Sequence, residues 1–224
     1  GIYCLDTNIS TFGKIFANAN KPASSITSLN NITNDRDSEL HAVPGTDTNV
    51  KWGTDVYAFN VLKGGQIQQS FSDLASAIDF IPADGSQYTI ELTTNAYGLD
   101  DTVQFKAGQN IVFASAAALG TNAKFTRHTY DILFNIDKAC TITFANVDVD
   151  GNSGAFATAD ALFNINNAQA IVNLGTTTGA PTISNNAAPN GSTINLVAGT
   201  LNVAGAQISG NTAGKAGAID VAAG

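Results

Sequence analysis

Several groups of side chains in this chain have the types and spacing for chemistry. Asp148 and Asp150 lie two apart, so a strand would present both carboxylates on one face. Such a pair can act as acid and base on a glycosidic bond or, with Asp137, hold Ca²⁺ weakly; the plainer reading is a solvated turn, since Arg127 is the one Arg of residues 70–224 and no Arg adjoins the pair. Lys124-Phe125-Thr126-Arg127-His128-Thr129-Tyr130 is the one run in which basic and aromatic side chains interleave. Read as a loop, it offers Lys124, Arg127, His128 and Tyr130 as ligand-binding candidates; the alternative is a packed loop with exposed charges. Gln104, Asn135, Asn164, Asn195 and Asp220 recur at matching places. Asn135, Asn164 and Asn195 are candidates to meet sugar hydroxyls, or else the column is a solvated or mutually hydrogen-bonded ladder. Cys4 and Cys140 suit either a disulfide tying the N-terminal segment to the rest, worth about 4 to 5 kcal/mol in the entropic account, or two thiols. His41 and His128 stand apart from each other and from the cysteines, so no zinc pattern arises, and no metal or cofactor is expected.

The elements that must position these residues repeat. An apolar, polar, apolar triplet followed three positions on by a small residue occurs at Val103-Gln104-Phe105, Phe134-Asn135-Ile136, Phe163-Asn164-Ile165, Ile194-Asn195-Leu196 and Ile219-Asp220-Val221, with starts 31, 29, 31 and 25 residues apart. A second apolar pair follows the first four: Ile111/Phe113, Ile142/Phe144, Val172/Leu174 and Leu201/Val203. A third element is legible around Val149, Ile183 and Ile208. Period-two alternation belongs to strands with one buried face, and units too small to hold a core must stack. Parallel strands joined by crossovers wind right-handed, so the expected fold is all-β: a right-handed, single-stranded parallel β-helix, or solenoid. The small residue after each first strand is expected to serve a tight bend or a positive φ.

The units "VDGNSG", "ISNNAA", "ISGNTAGKAGAIDV" and "FNIN" resemble the β-helix repeats of the pectate-lyase-like superfamily, in particular those of polymorphic-outer-membrane-protein-type bacterial surface adhesins. The Gly-Gly-Ala-Ile signature of those adhesins is altered here to Ala216-Gly217-Ala218-Ile219, and Phe-x-x-Asn is present at Phe163 to Asn166. The resemblance spans about residues 70–224 and implies the fold more specifically than the function, because lyases, hydrolases, tailspikes and adhesins share it.

Totals narrow the classes. The 224 residues, 44% hydrophobic and 12% charged, are enough for one or two folded domains. A net charge of −8 with 10 Lys and Arg argues against nucleic acid and anionic lipid as partners, and no apolar run reaches the roughly 18 residues of a membrane span. The absence of Met suggests removal of a signal peptide or excision from a longer chain.

Residues 1–69 read as an N-terminal cap or appended segment covering the first coil's open edge, and residues 70–224 as the β-helix. Ser24 to Glu39 reads as loop, with Asn30-Asn31 and Asn34-Asp35 as turns; Val50 to Trp52 and Val56 to Leu62 read as strands, the second ended by Gly64-Gly65. A short α-helix is expected near 70–80, with Ser70 as N-cap and Phe71, Leu74 and Ile78 on one face. The chain stops after one strand of the fifth unit, so a longer parent protein or end-to-end self-association is expected.

Ile2-Tyr3-Cys4-Leu5-Asp6 resembles the signature of thioester-forming domains in Gram-positive adhesins, which implies a third state for Cys4: a covalent tether formed with a Gln. Together these readings give the expected function, a bacterial cell-surface adhesin domain that is extracellular, not an enzyme, and binds a host or environmental glycan or protein. The alternatives are a polysaccharide-active lyase or glycoside hydrolase of the β-helix superfamily, and a phage tail or filament subunit.

Overall fold

The structure, a computed structural model, describes residues 31–34, 40–43, 57–215 and 217–222. The chain divides into two compact units, Gly1–Val56 and Tyr57–Gly224. In the first, β1 (Asn31–Asn34) and β2 (Leu40–Val43) pair antiparallel with Asn34 opposite Leu40. The polar stretch expected to be loop therefore contains a strand, which the β-branched Ile32 and Thr33 favour. The expected strand at Val50–Trp52 lies outside the described residues, as do Cys4 and all three states set out for it.

The second unit opens with a hairpin. β3 (Phe59–Lys63) reverses at Gly64 and Gly65, with φ of 58° and 78°, into β4 (Gln66–Phe71). Two consecutive left-handed residues are what a two-residue hairpin turn requires, so the glycine pair ends β3 and turns the chain back into β4. β3 also pairs antiparallel with β5 (Gln87–Leu92) and covers its edge. Between them α1 (Leu74–Phe80) buries Leu74, Ala77 and Ile78. Ser70, expected to cap this helix, lies in β4 opposite Asn60. Asp73 is the cap, its Oδ1 accepting from the Ser76 amide at 2.8 Å. At the other end the buried Gln109 donates through Nε2 to the carbonyls of Ile78 and Ile81 at 2.8 and 3.0 Å, joining the Ile81 amide on the Ile78 oxygen at the helix end.

From β5 onward all pairing is parallel. β6 (Ala96–Leu99) completes the first coil. The next coils carry β7 (Val103–Gln104), β8 (Asn110–Ser115) and β9 (Ala123–Arg127); β10 (Phe134–Ile136), β11 (Thr141–Phe144) and β12 (Val147–Asp150); β13 (Phe163–Leu174), β14 (Thr182–Ser184) and β15 (Ala187–Ala188); and β16 (Ile194–Val203), β17 (Gln207–Ser209) and β18 (Thr212–Ala213). β19 (Ile219–Val221) begins one more. The result is a parallel β-solenoid of about four turns.

Its registers follow the repeat. Val103, Phe134, Phe163, Ile194 and Ile219 align across successive strands, and Phe134, Phe163 and Ile194 are completely buried. Ile136, Ile165 and Leu196 form a second column; Ile111, Ile142, Val172 and Leu201 form another and Phe113, Phe144, Leu174 and Val203 a fourth, buried as far as Leu174 and exposed at Val203. Tyr97, Phe125, Val149, Ile183 and Ile208 align in the second sheet, β6-β9-β12-β14-β17. Aromatic rings interlock where these columns meet: Phe134 and Phe144 lie edge to face at 5.0 Å, as do Phe144 and Phe163 at 5.2 Å.

The bends meet the small-residue requirement in two ways. Gly108 and Gly199 have φ of 84° and 108°, and a Cβ on either would fall 2.6 Å from a backbone oxygen. Ala139 and Ala168, at the equivalent places, have no positive φ. There only the size of the side chain is constrained.

Candidate functional site

The run from Lys124 to Tyr130 is not an inserted loop. Its first half is β9, a strand of the second sheet, with Ala123, Phe125 and Arg127 inward and Lys124 and Thr126 outward. Arg127 is completely buried. Its Nη1 donates to the Thr129 and Asp131 carbonyls, and its Nη2 to those of Asp160 and Ala161 at 3.0 and 2.9 Å. Burial lowers its pKa to about 10 against the opposing pull of Asp160 and Asp131, so it remains a cation at neutral pH. The guanidinium thus ties residues 129–131 to the next coil and is turned away from solvent.

The other members of the run diverge. Lys124 Nζ pairs with Asp150 Oδ2 at 3.3 Å on the outer face. His128 Nδ1 lies 3.3 Å from Asp100 Oδ1, with its ring so close over Gly98 that a Cβ there would sit 2.3 Å from Cε1. Tyr130, 55% exposed, packs edge to face on Phe156 at 5.0 Å. No single ligand could touch all four.

Asp148 and Asp150 do share the outer face of β12. Asp148 Oδ1 accepts from Asn122 Nδ2 at 2.9 Å and from the Thr182 amide at 2.7 Å. Asp150 Oδ1 accepts from the Asn152 amide at 3.0 Å and Asn185 Nδ2 at 3.3 Å, while its Oδ2 faces Lys124. These bonds join neighbouring coils and hold the turn at Asn152 and Asn185, whose φ values of 49° and 56° are left-handed. Asp137 is on another edge, paired with Lys138 at 3.2 Å. Among the described residues no three His, Cys, Asp or Glu side chains gather as a metal site would require, and no helix is long and apolar enough to cross a membrane.

The polar column is a ladder over part of its length. Gln104, Asn135, Asn164, Asn195 and Asp220 align in register. Asn135 Nδ2 donates to Gln104 Oε1 at 3.3 Å, and Asn164 Nδ2 to Asn135 Oδ1 at 2.9 Å. A second ladder runs beyond the bend on the same sheet: Asn173 Nδ2 donates to Thr143 Oγ1 at 2.9 Å and Asn202 Nδ2 to Asn173 Oδ1 at 2.8 Å. Its signal in the sequence is the polar residue inside the second apolar pair, Val172-Asn173-Leu174 and Leu201-Asn202-Val203. Asn195 instead lines a concavity of about 300 Å³ with Asp160, Asn190, Lys215 and Asp220.

Cys140 is 4% exposed, and burial, followed by the charge of Asp137, raises its thiol to about 11. A thiol so held is a poor nucleophile. No protein family, curated protein or solved structure matches the chain.

Proposed function

We propose that the chain is an extracellular bacterial cell-surface adhesin domain, which holds a host or environmental glycan or protein on the outer faces of its coils without turning it over. The observation that supports this reading is the double amide ladder. A primary amide has two N–H donors and two acceptor lone pairs. In a ladder each inner amide uses one of each on its neighbours and keeps one of each for a ligand, with the rotamer already fixed. Sugar hydroxyls, at once donors and acceptors, match that remainder. The charged groups suited to turnover are engaged elsewhere: Arg127 is buried on carbonyls and Asp148 and Asp150 bind neighbouring turns.

The test is a glycan and matrix-protein array probed with the purified chain, followed by reducing-end assays on every glycan that binds. Binding that weakens in Asn135→Ala/Asn164→Ala, with the glycan intact, is the expected result. Cleavage of a bound glycan would make the domain an enzyme instead, and an array with no signal would remove the amide face as a binding surface.

A further inference from the structure

An open trough of about 460 Å³ lies between α1 and the segment Tyr97–Gln104. Its floor is apolar, formed by edges of Leu74, Ile78, Leu99 and Val103, each less than 9% exposed and anchored in the core. One wall carries Asp73 and Asp79 from the helix, the other Asp100 and Asp101 from the turn after β6; no Lys, Arg or His lines it. Tyr97 stands at the side, held edge to face against Phe59 at 4.6 Å. Burial and the charges of Asp73 and Asp100 raise the Tyr97 pKa, against a backbone hydrogen bond with Leu74, so the phenol stays neutral.

We infer that this trough docks an arginine- or lysine-bearing segment of a partner protein. The argument is charge complementarity over an apolar bed. Long cationic side chains lay their methylenes along apolar surface and keep the charge at the rim, which here is carboxylate on both sides. A cation also gains from the face of an aromatic ring such as Tyr97, and a guanidinium can bridge to a carboxylate with two parallel hydrogen bonds. Two of the rim acids have partners of their own, Asp79 the Lys106 ammonium at 2.8 Å and Asp100 the His128 ring at 3.3 Å. Both pairs are largely exposed and therefore weak, so an incoming guanidinium can displace them. Asp101 has no ion pair among the described residues, and its carboxylate is exposed. The trough is open rather than enclosed, which suits an extended segment. The whole chain at −8 steers such a partner inward.

The probe is a fluorescent hexa-arginine peptide, titrated by anisotropy at low ionic strength beside a hexa-glutamate peptide. Hexa-arginine is expected to bind and hexa-glutamate not. Asp100→Asn/Asp101→Asn and, at unchanged net charge, Ala75→Trp, which fills the trough from the exposed side of α1, should each weaken binding about tenfold. Asp84→Asn/Asp131→Asn removes the same number of negative charges away from the trough and should change it by less than about twofold. Asn173→Ala/Asn202→Ala, in the second ladder and with no contact to the trough lining, should leave it unchanged, which separates this site from the amide face. No binding by hexa-arginine, equal losses in the trough and control variants, or full binding by Ala75→Trp would each overturn the inference.

Discussion

Phe163 lies on Phe134 with ring centroids 5.2 Å apart and planes 16° from parallel. The two residues are 29 apart in sequence and directly opposite in register, so one turn of the solenoid is closed by a stack of identical side chains. Phe144 meets both rings edge on, and Phe125 of the second sheet meets Phe134 the same way, which places the aromatic core where three columns converge. Phe163→Ala should cost about 3 to 5 kcal/mol, the range for truncating a fully buried Phe, and Phe163→Leu markedly less. Urea unfolding of the isolated second unit's parent chain would show this as a midpoint shift at unchanged slope. A near-neutral Phe163→Ala would mean that the columns are misaligned.

The bend at Gly199 makes a sharper demand than its neighbours. With φ at 108° and a would-be Cβ 2.6 Å from the Asn167 oxygen and 2.8 Å from that of Ala170, Gly199→Ala meets backbone that cannot yield. The expected loss exceeds about 1 kcal/mol. Gly154, with nothing within 4 Å of its Cβ position, is the control, and Gly154→Ala should stay within about 0.5 kcal/mol. Comparing the two by thermal and urea denaturation separates conformational strain from a general intolerance of alanine in the coils.

The inward columns were legible in the sequence because a strand with one dry face writes its burial as a period of two. Gln109 and Arg127 were not, because their partners are carbonyls 28 to 34 residues away or reached only after the chain bends back. Ala123-Lys124-Phe125-Thr126-Arg127 does alternate, but with Arg at an inward place the pattern reads as a polar loop. β4 escaped for the opposite reason: Gln66-Ile67-Gln68-Gln69 is an exposed edge and has no buried face to write. The amide column was legible as a column, whereas the trough joins a helix to a turn some 25 residues on and leaves no local pattern.

Cys140 should be nearly inert in the folded chain. With its pKa at about 11, almost no thiolate is present at pH 8, and iodoacetamide should label it far more slowly than in urea. The raised pKa also sets a sign for stability. The folded state retains the proton at pH values where the unfolded thiol, near 9, has lost it, so this contribution is complete below about pH 9 and declines as pH rises toward 11. Cys140→Ala should flatten that decline. Rapid labelling of Cys140 at pH 8 without denaturant, read by peptide mass, would show that the thiol is not buried as described.

Arg127 distinguishes a binding residue from a structural one. If it met a ligand, its removal would change affinity and leave stability alone; its geometry gives the reverse expectation. Arg127→Leu keeps most of the apolar packing but removes the donor shared by the carbonyls of Thr129, Asp131, Asp160 and Ala161, of which Asp160 keeps Asn186 Nδ2 and Ala161 keeps the Leu133 amide. Leaving buried carbonyl oxygens short of a donor costs about 1 to 3 kcal/mol. Arg127→Lys should recover less than half of that, because an ammonium donates from a single point and cannot serve two carbonyl pairs lying in the fork of a guanidinium. Hydrogen exchange gives the local readout: the amides of Asp160 and Leu162, which bond to Tyr130 and Thr193, should lose protection in both variants before those of β8 do. If Arg127→Leu unfolds at the wild-type urea concentration while ligand binding on the array falls, Arg127 would be a binding residue after all.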